Sequence, residues 1–146
     1  MVVTSATAGT LATTLAAMLD EFDFDGVDID FEGGSVAGSD AGALATAMRA
    51  ARQHRVAQGK MCLFSMAPEF PHLRNGFYVQ LATALASEWD FVLPQLYNQG
   101  GDGITVGDAY VSSTNNQEGF LAGMFHALTT PGDSNFQAHF TPAQFC

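Results

Sequence analysis

The sequence predicts an α/β fold in which parallel strands alternate with helices. Three apolar, strand-like runs carry the prediction: residues 24–31, 61–67 and 91–97. Their starts lie 37 and 30 residues apart, the period of a βα unit, and such units join parallel strands by right-handed crossovers. Each run is followed by a polar break and then a helical pattern with a candidate cap.

Taken in order, Leu11, Leu15, Met18 and Phe22 recur at spacings of four, three and four, one face of an amphipathic helix. This segment has no positive n-region, so it is read as a helix and not as a secretion signal; a signal, if the protein is exported, is expected upstream of this chain. After the first strand, Ser39 or Asp40 precedes Ala43, Leu44, Ala47, Met48 and Ala51 as a helix cap. After the second, Asn75 precedes Leu81, Leu85 and Trp89, whose spacing puts Trp89 in a helix core. Residues 100–119, rich in Gly, Ser and Asn, read as a long loop on the face where such folds keep their sites. A last helix carries Phe120, Leu121, Met124, Phe125 and Leu128, while residues 129–144 show little pattern.

Composition narrows the function classes. In 146 residues, five Lys and Arg face fifteen Asp and Glu, a formal charge of −10. No cation precedes Arg49 or follows Arg74, so the basic face needed to bind nucleic acid or an anionic membrane is missing. Hydrophobic content of 47% with 14% charged residues fits a packed domain. No apolar run reaches the ~18 residues of a membrane-spanning helix. Cys62 and Cys146 form no disulfide framework, the four histidines are not at metal-ligand spacing, and no strand is followed by a phosphate-binding glycine loop.

The chemistry lies in the first strand. Asp25-Gly26-Val27-Asp28-Ile29-Asp30-Phe31-Glu32 alternates acid and apolar residues, so the two-residue period sends Asp28, Asp30 and Glu32 to one face. A solvated surface strand is the plain alternative; the bulky alternates Val27, Ile29 and Phe31, and the run's place between helices, favour a buried file. Three carboxyls on a buried face cannot all ionise without partners, so at least one is expected to hold a proton.

This run resembles the D-G-x-D-x-D-x-E signature of glycoside hydrolase family 18, the chitinases and related endo-β-N-acetylglucosaminidases. Downstream, Ser65-Met66-Ala67-Pro68-Glu69 resembles the end of the fifth strand of bacterial members, and Pro94-Gln95-Leu96-Tyr97-Asn98 resembles the motif ending the sixth. The resemblance implies a (β/α)8 TIM-barrel-type fold, present as a partial barrel of about strands four to six with their helices. It implies retaining, substrate-assisted hydrolysis of β-1,4 bonds between N-acetylglucosamine units, with no cofactor and no metal. Glu32 then matches the general acid and base, Asp30 the acceptor for the substrate's acetamido N–H, and Asp28 its proton-sharing inner partner. Tyr97 matches the hydroxyl that orients the acetamido carbonyl. Met66, Gln95 and Asn98 are expected to line the sugar pocket, with Gln95 pointing the same way as Tyr97.

Aromatic Tyr78, Phe70, Trp89 and Tyr110 are candidate sugar-stacking faces, with Trp89 read instead as core; Glu69 is either a site neighbour or a loop carboxylate. The implied partner is chitin or chitooligosaccharides and the implied location of the full-length protein is extracellular; oligomeric state is left open. Family members that act on N-glycans, or bind chitin without hydrolysis, are the alternatives. The retained Glu32 speaks against the non-hydrolytic kind, and an Asp-based metal phosphohydrolase lacks its phosphate-binding lysine or threonine. The barrel's eighth-strand tryptophan has no counterpart. Three strands alone are expected to leave open edges at the first and third and to expose the inner face, Met66 included, favouring self-association and leaving little or no activity in the chain as given.

Overall fold

The computed structural model describes residues 2–146. Helix α1 (Ala8–Glu21) leads to strand β1 (Gly26–Ile29), short helix α2 (Gly34–Gly38) and long helix α3 (Ala41–Ala57). Strand β2 (Leu63–Met66), a 3-10 turn (Phe70–Leu73), helix α4 (Phe77–Ala84) and strand β3 (Phe91–Val92) follow. A hairpin of β4 (Gly103–Val106) and β5 (Ala109–Ser112) precedes helix α5 (Gln117–Thr129).

Strands β1, β2 and β3 form a parallel sheet with β2 central, pairing Asp28 with Ser65, Ile29 with Met66, and Ser65 with Phe91. This is the predicted βα alternation. Helix α1 packs on α3, and α3 on α4. Asp40 caps α3 by accepting from the Ala43 N–H at 3.0 Å, and the small residues Ala41, Ala43, Ala45, Ala47 and Ala51 are buried where α3 meets its neighbours. The fully buried Arg55 joins α3 to the approach to β1 by donating to Asp20, Asp23 and the Phe24 carbonyl at 3.0–3.2 Å. Burying an arginine is tolerable only because its charge is paired.

Several expectations change. Helix α1 buries Ala8 and Leu19, with Leu11 and Leu15 partly buried, while Met18 and Phe22 are 46% and 61% exposed. Asn75 does not cap α4; Gly76, at φ 82°, is the N-cap and no side chain closes that end. Trp89 is core, as read, but lies past the end of α4 against Phe64.

The segment after β3 is no simple loop. Ile104, Thr105 and Val106 pair antiparallel with Val111, Tyr110 and Ala109 across a tight turn at Gly107-Asp108, where Gly107 takes φ 59°. That two-residue turn between β-branched runs is a hairpin signal legible in the sequence. The hairpin packs on α5 so closely that a Cβ at Gly123 would lie 2.6 Å from Val106 Cγ2. Arg74 fastens it to the 3-10 turn with a two-pronged bond to Asp102 at 2.9 and 3.3 Å.

The expected open edge at β3 is covered by the chain's own C-terminal residues. Val92 N–H donates to the Gln144 carbonyl at 2.7 Å, Cys146 N–H donates to Val92 at 3.0 Å, and Phe145 bridges Val92 in parallel. On the far side of β1 no strand pairs among the described residues.

Candidate active site

Because β1 and β2 are in register, Asp28 and Ser65 share a face, and Ser65 Oγ donates to Asp28 Oδ1. The opposite face carries Ile29, Met66 and Val92, all buried under the helices. Met66, expected to line the sugar pocket or to meet water, is therefore a core residue at 0% exposure. Its run, Met61-Cys62-Leu63-Phe64-Ser65-Met66, is apolar on both faces but for Ser65, so alternation could not reveal its phase.

Asp28, Asp30 and Glu32 do share one face, but that face is exposed, because the buried core lies on the other, behind Ile29, Met66 and Val92. The expected burial of the file is therefore absent, and Asp28 takes its hydrogen bond from Ser65. Asp30 and Glu32 are joined by another group. The Gln95 amide Nε2 donates to Asp30 Oδ1 and Glu32 Oε1, each at 2.9 Å, and to the Ala67 carbonyl at 3.1 Å. Gln95 is itself buried at 8% exposure and held by its own N–H on the Pro68 carbonyl at 2.8 Å. One fixed donor thus gathers two carboxylates from a strand 63 and 65 residues away in sequence.

The ladder of β1 to β2 ends where Ala67 N–H donates to the Ile29 carbonyl at 2.9 Å. Beyond it, Phe31 finds its partners on α4: Tyr78 Oη accepts from the Phe31 N–H at 2.7 Å and donates to the Phe31 carbonyl at 3.0 Å. Tyr78 is therefore no sugar platform, since it is fully buried. Burial, with smaller contributions from the neighbouring carboxylates, pushes its ionisation well above that of an ordinary tyrosine and keeps the hydroxyl a donor. Phe70 is also buried, packed edge-on against Phe120 and Phe136. Of the four aromatic candidates only Tyr110 is exposed; it sits on the hairpin, donating to Asp102 at 3.2 Å.

Tyr97 is 61% exposed and Asn98 sits at φ 56°; both follow Gln95 past the sheet end, and neither hydrogen-bonds the carboxylates among the described contacts. Glu69 borders the site by bridging Gln95 and pairs with His72 at 3.3 Å. A cleft of about 460 Å³ opens at Gly33, the residue after Glu32, between α2 and α4, and its polar lining is Ser39, Glu69, His72, Asn75 and Gln80. Arg49, Arg52, Arg55, Lys60 and Arg74 each pair with a carboxylate elsewhere, leaving the field at the three-carboxylate file negative. Among the described residues no group of three His, Cys, Asp or Glu is arranged to hold a metal, and no helix is long and apolar enough to cross a membrane.

No family model matches the chain. It is 39% identical over 97 residues to a chitinase of Enterococcus faecalis, covering 65% of this chain and 28% of that protein. It is 30% identical over 118 residues to the chitinase ChiA of Flavobacterium johnsoniae, covering 66% of this chain and 8% of that protein. In fold it matches a family GH18 chitinase from Chromobacterium violaceum over 99% of this chain and 42% of that one, with a TM-score of 0.77 at 22% identity. A Streptomyces coelicolor structure assigned as chitinase A matches over 99% of this chain and 44% of that one, with a TM-score of 0.67 at 25% identity. The chain spans about a quarter of the first curated relative and somewhat under half of either solved chain. Sequence and fold together show a chitinase-like partial domain, folded as part of the (β/α)8 barrel seen in GH18 chitinases.

Proposed function

We propose that this domain belongs to a hydrolase that cleaves β-1,4 bonds between N-acetylglucosamine units of chitin or chitooligosaccharides, with the substrate's own acetamido group as nucleophile. The observation that carries the reading is the Gln95 amide holding Asp30 and Glu32 side by side at the sheet's C-terminal end. Protonated Glu32 donates its proton to the glycosidic oxygen as that bond to the anomeric carbon breaks. The acetamido oxygen attacks the same carbon from the opposite face, and the positive charge spreads into an oxazolinium ring. Asp30 accepts the acetamido N–H and Tyr97 steadies its carbonyl, while the negative file around them lowers the energy of the developing cation. Glu32, now a carboxylate, takes a proton from water as it attacks the anomeric carbon, and two inversions give retention. The cleft that opens at Gly33 offers polar side chains, Glu69, His72, Asn75 and Gln80, as hydroxyl partners for a sugar. A polymeric substrate fits a whole protein that acts outside the cell.

The test is hydrolysis of a fluorogenic chitotrioside and of chitosan. Glu32→Gln keeps the side-chain shape but removes the proton donor, and is expected to lower kcat by about 10²-fold or more. Fully deacetylated chitosan is expected to resist cleavage because it lacks the nucleophile. Comparable cleavage of the deacetylated polymer would overturn the mechanism and direct attention to Glu69 as a second carboxylate.

A further inference from the structure

The carboxylates of the proposed reaction stand on a segment that the sheet does not hold. The last bond from β2 to β1 reaches the Ile29 carbonyl, so Asp30, Phe31 and Glu32 project past the ladder. A three-residue projection of this kind normally frays, because its backbone N–H and C=O groups have no strand beside them. Here the Glu32 carbonyl accepts from the Ser35 N–H at 3.1 Å, and a single hydroxyl holds the backbone of Phe31. Tyr78 Oη accepts from the N–H and donates to the C=O of the same residue, Phe31, at 2.7 and 3.0 Å.

Three further features make the grip rigid. Tyr78 is fully buried, so water does not compete for either bond. It lies in the first turn of α4, whose preceding residue Phe77 stacks on the Phe31 ring at 5.6 Å with the planes 4° apart. The Phe77 and Tyr78 rings also meet edge to face at 5.3 Å, locking the two rotamers together. Phe31 is thereby held at backbone and side chain, and its neighbours Asp30 and Glu32 are turned to the other face, where Gln95 receives them. We propose that Tyr78 is a positioning residue: its hydroxyl, acting only through the Phe31 backbone, sets the placement of Asp30 and Glu32. This rests on the function proposed above for those two carboxylates.

Catalytic geometry is steep in distance, since a displacement of about 1 Å can cost about 10²-fold in rate. Tyr78→Phe keeps the ring and its packing and deletes only the hydroxyl. In an intact enzyme containing this segment it is expected to lower kcat on a fluorogenic chitotrioside about 10- to 100-fold with KM within about twofold. Amide hydrogen exchange at Phe31 and Glu32 should quicken at least about tenfold, with little change in the β2 amides. Trp89→Phe serves as control: it thins the same core away from this contact and is expected to lower Tm while leaving kcat and Phe31 exchange near the wild-type values. A Tyr78→Phe variant with native Phe31 exchange refutes the clamp whatever the enzyme does. Fast Phe31 exchange with unchanged kcat refutes the positioning role. If the wild-type intact enzyme shows no turnover, the functional proposal is what fails, and the exchange data still decide the clamp; a variant too unstable to measure is replaced by Phe77→Leu, which should quicken Phe31 exchange through loss of the stacked ring.

Discussion

Replacing Gln95 tests the shared donor at the heart of the site. Its Nε2 faces three oxygens at 2.9, 2.9 and 3.1 Å, two of them on carboxylates. Hydrogen bonds to charged groups are worth about 1.5–3 kcal/mol each. Both acceptors are exposed, so water recovers part of that, and a net loss of roughly 1–2 kcal/mol is left for Gln95→Leu. At 1.4 kcal/mol per decade this is about a 5- to 30-fold fall in kcat/KM. Gln95→Glu is similar in shape but sets a third carboxyl against Asp30 and Glu32. Two charges about 4 Å apart repel by about 1 kcal/mol in water and about 4 at the effective dielectric of a protein surface. With two such neighbours, the Glu variant is expected to be the worse of the two at pH 7 and to regain activity relative to the Leu variant as pH falls towards 5. The assay is kcat/KM on a fluorogenic chitotrioside for all three proteins from pH 5 to 8, with melting curves alongside. A Leu variant within twofold of wild type, or a Glu variant that outperforms it at pH 7, would refute the reasoning.

Other outcomes follow from the same geometry. Tyr97→Phe removes one hydroxyl and leaves Glu32 and Asp30 in place, so its loss of kcat should be smaller than that of Glu32→Gln in the same assay. Bonds from His54, then Gln58 and Arg55, hold Asp20 at a pKa of about 2, below its ordinary 3.8. A depressed carboxylate contributes stability above the unfolded pKa and loses it as pH falls through the folded one, so urea midpoints should drop from pH 4 towards 2, and Asp20→Asn should flatten that drop. Arg74→Leu releases Asp102 and the Gly103 carbonyl, costing about 1–3 kcal/mol and speeding amide exchange in β4 and β5 ahead of the parallel sheet. Phe91 and Leu93 are 41% and 45% exposed at β3 and just beyond it, so light scattering should show a mass above 15.4 kDa that falls towards it in the double Ser variant.

Local pattern was enough for much of this protein. The alternation from Asp25 to Glu32 exposes its phase because acid and apolar residues take strict turns, and so Asp28, Asp30 and Glu32 could be set on one face before any contact was known. Helix α3 was legible from its apolar spacing and a cap at Ser39 or Asp40, of which the structure uses Asp40, and βα order from the distances between apolar runs. Tertiary structure decided the rest, because it concerns partners far apart in sequence. The phase of β2, apolar on both faces but for Ser65, is set only by its register with β1, which sends Met66 to the core and Ser65 to Asp28. The open edge at β3 is closed by Gln144 and Cys146, more than fifty residues on, in a segment with no strand pattern. Gln95 and Tyr78 acquire their roles from acceptors 47 to 65 residues away, and a side chain's sequence neighbours carry no trace of which distant backbone its polar tip will meet.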